Sequence, residues 1–210
     1  VGEHPLAVEL PEHPRVRVYA MSNHGFEFSN FKRFLCTRFN HAARKEHADT
    51  AVAPGRAQHE LACAPPAGFG FFIFLLDTTR GPFLPSFVPP ATWPDALTGM
   101  LDDETRLLGP TINCMYCHQH LPACSEGLHS QGHMVTTDRV GLGVLLHHWL
   151  GGSDQRKNDA IRLEIGGTAA MLAAGYNVAV MQRFWRGHDF RRPEATQRRC
   201  QLMGAHAREW

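Results

Sequence analysis

The feature that most constrains the fold is an apolar run at residues 71–76, FFIFLL, which ends directly on the carboxylate of Asp77. A short run of this kind, followed by a Gly-Pro pair at 81–82, predicts a buried strand. A carboxylate at the end of such a strand either offers a hard oxygen ligand to Mg²⁺ or Mn²⁺ or begins a turn. Thr79 and Arg80 follow, and an arginine there is suited to bind a phosphate. The residues alone leave both alternatives open.

Composition sets the limits within which this strand must be placed. The chain has 210 residues, which is enough for one domain with a substantial core. Apolar residues make up 43% and charged residues 20%, as in a folded globular domain. Lys plus Arg number 21 and Asp plus Glu 20, so the charge balance does not indicate a nucleic-acid partner. No apolar run approaches the roughly 18 residues of a membrane span.

Hydrophobic periodicity predicts an α/β fold. The predicted strands are 15–21, 70–76, 111–117 and 176–182, and the predicted helices are 28–48, 93–101, 134–152 and 161–174. This order is typical of helices packed on a mixed or mainly parallel sheet. We expect one domain over 1–210, with a low-order connection at 49–68, a proline-rich loop around the helix at 93–101, and a basic tail at 191–210.

A polar segment follows the first predicted strand. Ligands of α/β sheets bind beyond the carboxyl ends of strands. Asn23 and Gly25 would let the backbone approach a nucleotide there, and Glu27 would accept a hydrogen bond from a ribose or a base. The alternative is an ordinary strand–helix turn, in which Asn and Gly supply positive φ.

Soft metal ligands are concentrated between residues 114 and 133. Cys114 and Cys117 form a Cys-x2-Cys pair, and His118 and His120 follow it. A structural zinc site usually has two such pairs, so a disulfide or free thiols in a polar loop is the alternative. A Cys/His nucleophile is a third alternative, although no residue marks either thiol as activated.

Two later segments carry further candidate site residues. Glu164 lies at the start of a predicted small-residue helix, where a carboxylate is either a catalytic base or a first-turn residue that complements the helix dipole. His188 and Asp189 follow the last predicted strand. Their loop either closes over a site and binds a metal or forms a surface turn.

Six segments of the sequence resemble, in chain order, the blocks of a glycosyltransferase-like family related to rhamnan-synthesis proteins. They are SNHGFEFSNF, FFIFLLDTTRGPFLPSF, LDDETRLLGPTINC, HSQGHMVTTDRVGLGVLL, LEIGGTAAMLAAGYNV and RGHDFR. The resemblance covers about residues 15–192. No single block is highly specific, and the ordered series carries the resemblance.

The resemblance implies the A-type glycosyltransferase fold, a Rossmann-like mixed sheet flanked by helices. It also implies a nucleotide-sugar donor, a Mn²⁺ or Mg²⁺ ion, and a carbohydrate or other hydroxyl acceptor. The compartment stays open: the secretory pathway or Golgi lumen for a eukaryotic protein, the cytoplasm for a bacterial one. The chain does not begin with Met, which favours a fragment or a processed product, so a targeting sequence would lie before Val1.

The resemblance also implies roles for individual residues. The donor-binding residues are Asn23, Gly25, Glu27, Thr79, Arg80, His129 and Gln131. The metal ligands are Asp77 and His188. Glu164 is the base if the transfer inverts the anomeric carbon, and Asp189 is a second catalytic residue on a closing loop.

The sequence departs from the family blocks where binding would depend on them. Thr79 replaces the second carboxylate of the metal block, Glu27 is one methylene longer than the family's acid, and Thr168 or Gly167 replaces a serine after Glu164. The chain also begins at what would be the family's second strand. These departures favour an alternative, a catalytically inactive relative that acts as a binding or structural subunit of a larger assembly. A small zinc-binding protein is the third hypothesis.

Overall fold

The computed structural model of the chain describes residues 27–38, 63–76, 89, 92–114, 128–150 and 157–206. The helices in these residues are α1 Glu27–Arg38, α2 Trp93–Thr98, α3 Arg139–Leu150, α4 Lys157–Ala173 and α5 Pro193–His206. The strands are β1 Phe71–Leu75, β2 Thr105–Gly109, β3 Ile112–Asn113, β4 His129–Ser130, β5 Met134–Asp138 and β6 Asn177–Val180. A 3₁₀ turn, Arg183–Trp185, lies between β6 and α5.

Four of these strands form a mixed sheet in the order β1-β5-β2-β6. Strand β5 is antiparallel to β1 and β2, and β6 is parallel to β2, so β1, β2 and β6 run in the same direction. Strands β3 and β4 form a separate antiparallel ribbon. The prediction of an α/β fold with a mixed sheet flanked by helices is therefore confirmed for the described residues.

The apolar run at 71–76 forms β1 and contributes to both faces of the sheet. Phe74 points to the face covered by α1, α3 and α4, where its ring lies 5.7 Å from that of Trp149. Trp149 is 1% exposed and also contacts Phe28 of α1, with 5.4 Å between ring centroids. Ile73 points to the other face and packs near Leu97 of α2. The predicted strand is therefore confirmed, but the prediction that it is buried is wrong: β1 is an edge strand of the described sheet, and Phe71 and Leu75 at its ends are 50% and 43% exposed.

Most of the other predicted elements are found with shifted ends. The helix predicted at 93–101 is α2, the helix predicted at 161–174 begins earlier as α4, and the strand predicted at 176–182 is β6. Only the first part of the helix predicted at 28–48 lies within the described residues, as α1. The strand predicted at 15–21 lies outside them. No helix in the described part of the chain is long and apolar enough to cross a membrane.

The prediction of a single helix over 134–152 is wrong. The segment contains β5 and then α3, and the direction of the chain changes at Asp138. The β-branched residues of MVTTD favour a strand. Asp138 then caps α3, since its Oδ1 accepts the Gly141 N–H at 2.8 Å. Apolar residues on both sides of this boundary concealed the change of periodicity.

Two segments predicted to be irregular form regular structure. Strand β2 lies in the proline-rich segment predicted as a loop, yet it pairs with both β5 and β6. Most of the predicted basic tail at 191–210 forms α5, whose Thr196 side chain is 4% exposed. Tertiary pairing and packing explain these elements better than local composition does.

Two disulfides join described residues. Cys36–Cys63 links α1 to the segment before β1, and Cys114–Cys200 links the end of β3 to α5. Cys114 is therefore not available as a zinc thiolate in this structure, and the disulfide alternative holds for it. The other expected zinc ligands, Cys117, His118 and His120, lie outside the described residues.

Candidate functional site at the carboxyl edge of the sheet

Strands β1, β2 and β6 end at the same side of the sheet, which we call the carboxyl edge. Leu76, just after β1, donates its N–H to the His133 carbonyl at 3.2 Å, just before β5. Met181, just after β6, donates its N–H to the carbonyl of Gly109 at 3.2 Å. The segments that leave the three parallel strands therefore start next to one another, where α/β folds form binding sites.

Helix α4 holds the segment 130–132 at this edge through two side chains. The N–H of Ser130 donates to Thr168 Oγ1 at 2.9 Å, and the N–H of Gly132 donates to Glu164 Oε1 at 2.7 Å. Residues four apart on a helix are separated by about 6 Å along its axis, and alternate residues of a strand by about 6.6 Å. The two acceptors therefore match the two amides, and α4 takes the place of a neighbouring strand.

Gly132 allows a close approach of Glu164 and Phe28. A Cβ at this position would lie 2.7 Å from Phe28 Cζ and 3.2 Å from Glu164 Oε1. The adjacent cavity has a volume of about 20 Å³, which is room for about one water molecule. Ser130 lines it, and the Ser130 hydroxyl has no hydrogen-bond partner among the described residues. The cavity itself is too small for a sugar.

Glu164 lies in the interior of α4 and not in its first turn. The helix begins at Lys157, about two turns earlier, so the helix-dipole alternative does not explain this carboxylate. The side chain is half-buried, and the Gly132 amide is the only hydrogen bond that the described residues make to it. Its second oxygen, Oε2, accepts no hydrogen bond from the described residues.

Two glutamine side chains lie at the same edge. The Thr111 hydroxyl donates to Gln131 Oε1 at 2.9 Å, and the Ile112 N–H donates to Gln182 Oε1 at 3.1 Å. The Gln131 N–H donates to the Thr111 carbonyl at 3.2 Å. The two carboxamides are thus anchored to successive residues, Thr111 just before β3 and Ile112 at its start. The sequence prediction did not include Gln182, because it falls within the last predicted strand, 176–182, and only its contact with the Ile112 amide marks it.

The structure brings together three of the predicted site residues. His129 is half-buried in β4 opposite Asn113, Gln131 follows it by two residues, and Glu164 holds the next residue, Gly132. His129 lies in the ribbon and Gln131 directly follows it, while Glu164 is one of the α4 side chains that hold this segment. The two segments that contain them are more than thirty residues apart in sequence.

His188 and Asp189 lie at the opposite, amino edge of the sheet. Asn177, the first residue of β6, donates from Nδ2 to the His188 carbonyl at 3.2 Å and accepts the Phe190 N–H at 2.8 Å. The His188 N–H donates to the Trp185 carbonyl at 3.0 Å, so His188 also contacts the 3₁₀ turn that follows β6. Among the described residues, no hydrogen bond, ion pair or ring contact joins His188 or Asp189 to Glu164, in contrast to the expected closing loop.

The surroundings of His188 and Asp189 are those of packed, paired groups. Hydrogen bonds from Arg191 lower the pKa of the Asp189 carboxyl, which also forms an ion pair with Arg191 at 2.8 Å. Burial lowers the pKa of His188, and the Arg199 guanidinium lowers it further. His188 Nε2 lies 2.8 Å from Thr196 Oγ1 of α5. The predicted metal role of His188 and catalytic role of Asp189 gain no support from this arrangement.

Several predicted residues lie outside the described part of the chain, namely Asn23, Gly25, Asp77, Thr79 and Arg80. Glu27 is the first residue of α1. Within the described residues, no three His, Cys, Asp or Glu side chains come close enough to hold a metal ion. These residues alone therefore do not fit a Mn²⁺ or Mg²⁺ site, and Asp77 remains a predicted ligand.

A larger open groove lies between α3 and α4. Its volume is about 930 Å³, and its lining is mostly small and apolar, with His147, His148 and Arg162 as the polar groups. His148 Nε2 lies 3.1 Å from the Leu163 carbonyl, and burial lowers the pKa of His148. None of the predicted site residues lines this groove.

The carboxyl edge is therefore the place where predicted site residues converge. Its polar groups come from β4, α4 and the segments after β2 and β6. No family model, curated protein or solved structure matches the chain.

Proposed function

We propose that the chain is a glycosyltransferase-like domain that binds a nucleotide sugar at the carboxyl edge and transfers the sugar to a hydroxyl acceptor. One observation carries the proposal. The segments 129–132 and 164–168, which resemble two separate blocks of the glycosyltransferase-like family, are joined at that edge by two hydrogen bonds. Such convergence beyond the carboxyl ends of strands is how α/β folds form ligand sites.

Glu164 is the residue to which we assign the role of general base. The Gly132 N–H holds Oε1 at 2.7 Å, which orients the carboxylate and leaves Oε2 to accept the proton of an acceptor hydroxyl. The acceptor must reach Oε2 from outside the small cavity, because a volume of about 20 Å³ admits only a water-sized group. This role requires an inverting transfer.

A divalent cation enters the proposal only through the resemblance. Mn²⁺ or Mg²⁺ would neutralise the negative charge of the leaving nucleoside diphosphate. Asp77 is the ligand we expect for it, with Thr79 and Arg80 near the diphosphate. We assign no step to the metal, because the described residues do not form a group of three ligands.

A second candidate function is that of a catalytically inactive relative, a binding or structural subunit of a larger assembly. It is favoured by the structural use of Glu164, which satisfies a backbone amide beside a cavity too small for a sugar. In that case the carboxylate stabilises the ribbon and performs no chemistry. The glycosyltransferase would turn over its nucleotide sugar, whereas the inactive relative would at most bind it.

The test compares the wild type with Glu164→Gln. Glutamine keeps an oxygen for the Gly132 amide and removes the base. Binding of uridine, guanosine, adenosine and cytidine diphosphate sugars is screened by thermal shift with and without Mn²⁺, because a ligand of the folded state raises its stability. Turnover of the best binder is then measured as release of the nucleoside diphosphate. We expect unchanged binding and a loss of about 10²–10⁴-fold in kcat for the variant.

The matched control is Glu194→Gln on the exposed side of α5, which should leave both quantities unchanged. Donor binding without turnover in the wild type, under every metal condition, would favour the inactive relative. If no nucleotide sugar shifts the melting temperature, the glycosyltransferase proposal is wrong.

A further inference from the structure

We propose that Gln182, together with Gln131, binds the hydroxyl groups of a sugar at the carboxyl edge. The inference rests on the proposed function and adds to it a sugar-recognition pair formed by the ends of β4 and β6. Gln182 is not among the residues expected from the sequence.

The orientation of the Gln182 carboxamide follows from its partner. The Ile112 backbone N–H can only donate, so the atom that faces it at 3.1 Å must be the carbonyl oxygen Oε1. The NH₂ group is then fixed on the other side of the carboxamide. It donates no hydrogen bond to a described residue, and the side chain is half-buried. A fixed donor that has no acceptor among the described residues is suited to bind a ligand.

Gln131 is anchored in the same manner from the ribbon side. The Thr111 hydroxyl donates to its Oε1 at 2.9 Å, and its own N–H binds the Thr111 carbonyl at 3.2 Å. Its NH₂ group likewise has no acceptor among the described residues. Because Thr111 and Ile112 are neighbours in the chain, the two carboxamides approach the same short segment. They present two pairs of donors at one end of the sheet.

The chemistry of this pair fits a sugar better than a phosphate. A carboxamide is neutral and offers a donor and an acceptor side by side, as a hydroxyl does. Phosphate is usually bound by Arg, Lys or clustered backbone amides, which supply charge. Arg183 follows Gln182 in the chain and is exposed, and an arginine there could bind a phosphate. The test must therefore distinguish phosphate binding from sugar binding.

The experiment uses two substitutions of Gln182 in the full chain. Gln182→Met removes both the donors and the oxygen. Gln182→Glu keeps an oxygen for the Ile112 amide and replaces the donors by an acceptor, which a sugar hydroxyl tolerates because it can also donate. The probes are nucleoside diphosphates and their sugar derivatives, titrated by calorimetry well below the melting temperature. Gln201→Met on the exposed side of α5 is the control.

We expect Gln182→Met to weaken binding of the nucleotide sugar by about 5–10-fold, as for the loss of one hydrogen bond or slightly more, and to leave the free nucleoside diphosphate unchanged. Gln182→Glu should bind the nucleotide sugar within about 3-fold of the wild type, since one hydrogen bond is exchanged for another. If both variants lost affinity for the free nucleoside diphosphate, and Gln182→Glu lost more than Gln182→Met, the two glutamines would bind phosphate and the inference would be overturned.

A second experiment distinguishes the donor sugar from the acceptor sugar. It measures binding of the same variants to an array of free glycans. A loss confined to the array would assign the pair to the acceptor sugar, and a loss confined to the titrations to the donor. Unchanged binding in both variants, with normal donor binding by the wild type, overturns the inference and leaves the proposed function intact. No binding of any nucleotide sugar or glycan by the wild type overturns both.

Discussion

The two edges of the sheet use their polar residues in different ways. At the amino edge, Arg106 forms ion pairs with Asp138 and Asp103, and Asp138 also accepts the Gly141 amide at 2.8 Å. A second network at this edge consists of Arg191, Asp189 and Glu104. Charged groups here face opposite charges or backbone amides. Arg106 Nε is the exception, a buried donor without a partner among the described residues.

At the carboxyl edge the hydrogen bonds are mostly those of neutral side chains to the backbone. Thr168 and Gln182 each accept a backbone amide, and Glu164 is the only carboxylate that does so there among the described residues. Three groups there have no partner among the described residues: the hydroxyl of Ser130 and the NH₂ groups of Gln131 and Gln182. Hydrogen bonds from α4 fix the ribbon. The Ser130 hydroxyl and the two carboxamide NH₂ groups take no part in these bonds.

This difference separates residues that stabilise the fold from residues suited to bind a ligand. Polar groups within a packed protein normally find partners, so a network that satisfies itself is sufficiently explained by stability. A fixed polar group that lies at a cavity or is partly exposed, and that has no partner among the described residues, is instead suited to bind a ligand. His188 and Asp189 resemble site residues in sequence, but their side chains are paired with Thr196 and Arg191 within the protein. The difference between the two edges also predicts different responses to mutation.

The largest expected effect is the loss of Asp138. Asp138→Ala leaves the Arg106 guanidinium without its main partner and removes the cap of α3. Breaking one side of a largely buried ion pair costs about 3–5 kcal/mol, and we expect the free energy of unfolding to fall by about that amount. Urea unfolding followed by circular dichroism measures it. Nucleotide-sugar binding by the fraction that remains folded should be unchanged.

The matched control is Asp103→Ala, because Asp103 pairs with the same guanidinium at 2.9 Å from a fully exposed position. Surface ion pairs contribute little, so its unfolding curve should overlap that of the wild type. If the two alanine variants were equally stable, the amino edge would not be the stabilising network described above.

A smaller effect is expected where α4 holds the ribbon. Thr168→Val has nearly the same shape but leaves the buried Ser130 N–H without its acceptor, which lies at 2.9 Å. An unsatisfied buried amide costs about 1–3 kcal/mol. We expect a loss of stability in that range, together with faster hydrogen exchange at the Ser130 amide than at the Leu108 amide of β2.

Thr168→Ser serves as the control because it keeps the hydroxyl. It loses one buried methyl group, which is worth about 0.8 kcal/mol, yet the Ser130 amide should stay protected. Equal protection of that amide in the valine and serine variants would show that the side chain of residue 168 does not hold the ribbon.

The sequence predicted the elements whose pattern is local. The apolar run that became β1 and the small-residue helix α4 are recognisable because burial or spacing is visible within a few residues. Strand β2 escaped prediction because its regular pairing comes from β5 and β6, which are distant in sequence. The disulfide from Cys114 to Cys200 escaped for the same reason, since spacing does not determine connectivity.

The candidate site shows the same limit. Glu164, His129 and Gln131 were selected from the sequence because their blocks resemble known ones, and tertiary structure joined them. Gln182 was missed because a glutamine after a strand becomes informative only when the Ile112 amide is seen to fix it. Asp189 was selected because its segment resembles a closing loop, whereas the structure pairs it with Arg191.

The smallest expected effect concerns the titration of His188 at the amino edge. Thr196 Oγ1 donates to the Arg192 carbonyl at 2.9 Å, so His188 Nε2 must donate to Thr196 Oγ1 and Nδ1 faces Arg199 without a proton. Protonation would place two cations face to face. Burial disfavours the charged ring first and the facing Arg199 charge disfavours it further, so the folded pKa of His188 lies below the unfolded value of 6.5. The stability from this histidine is fully present above pH 6.5 and is lost as the pH falls from 6.5 through the folded pKa.

A histidine-resolved NMR titration checks this prediction. Arg199→Met removes the facing charge, so the pKa of His188 should rise toward its ordinary value, although burial still opposes it. Arg198→Met, the exposed neighbour on α5, should leave the titration unchanged. A wild-type His188 that titrates at or above pH 6.5 would contradict the neutral, self-satisfied state that distinguishes this edge. Nucleotide-sugar binding should not follow this titration, because the His188 ring contacts Trp185, Thr196 and Arg199 and none of the described residues assigned to sugar binding.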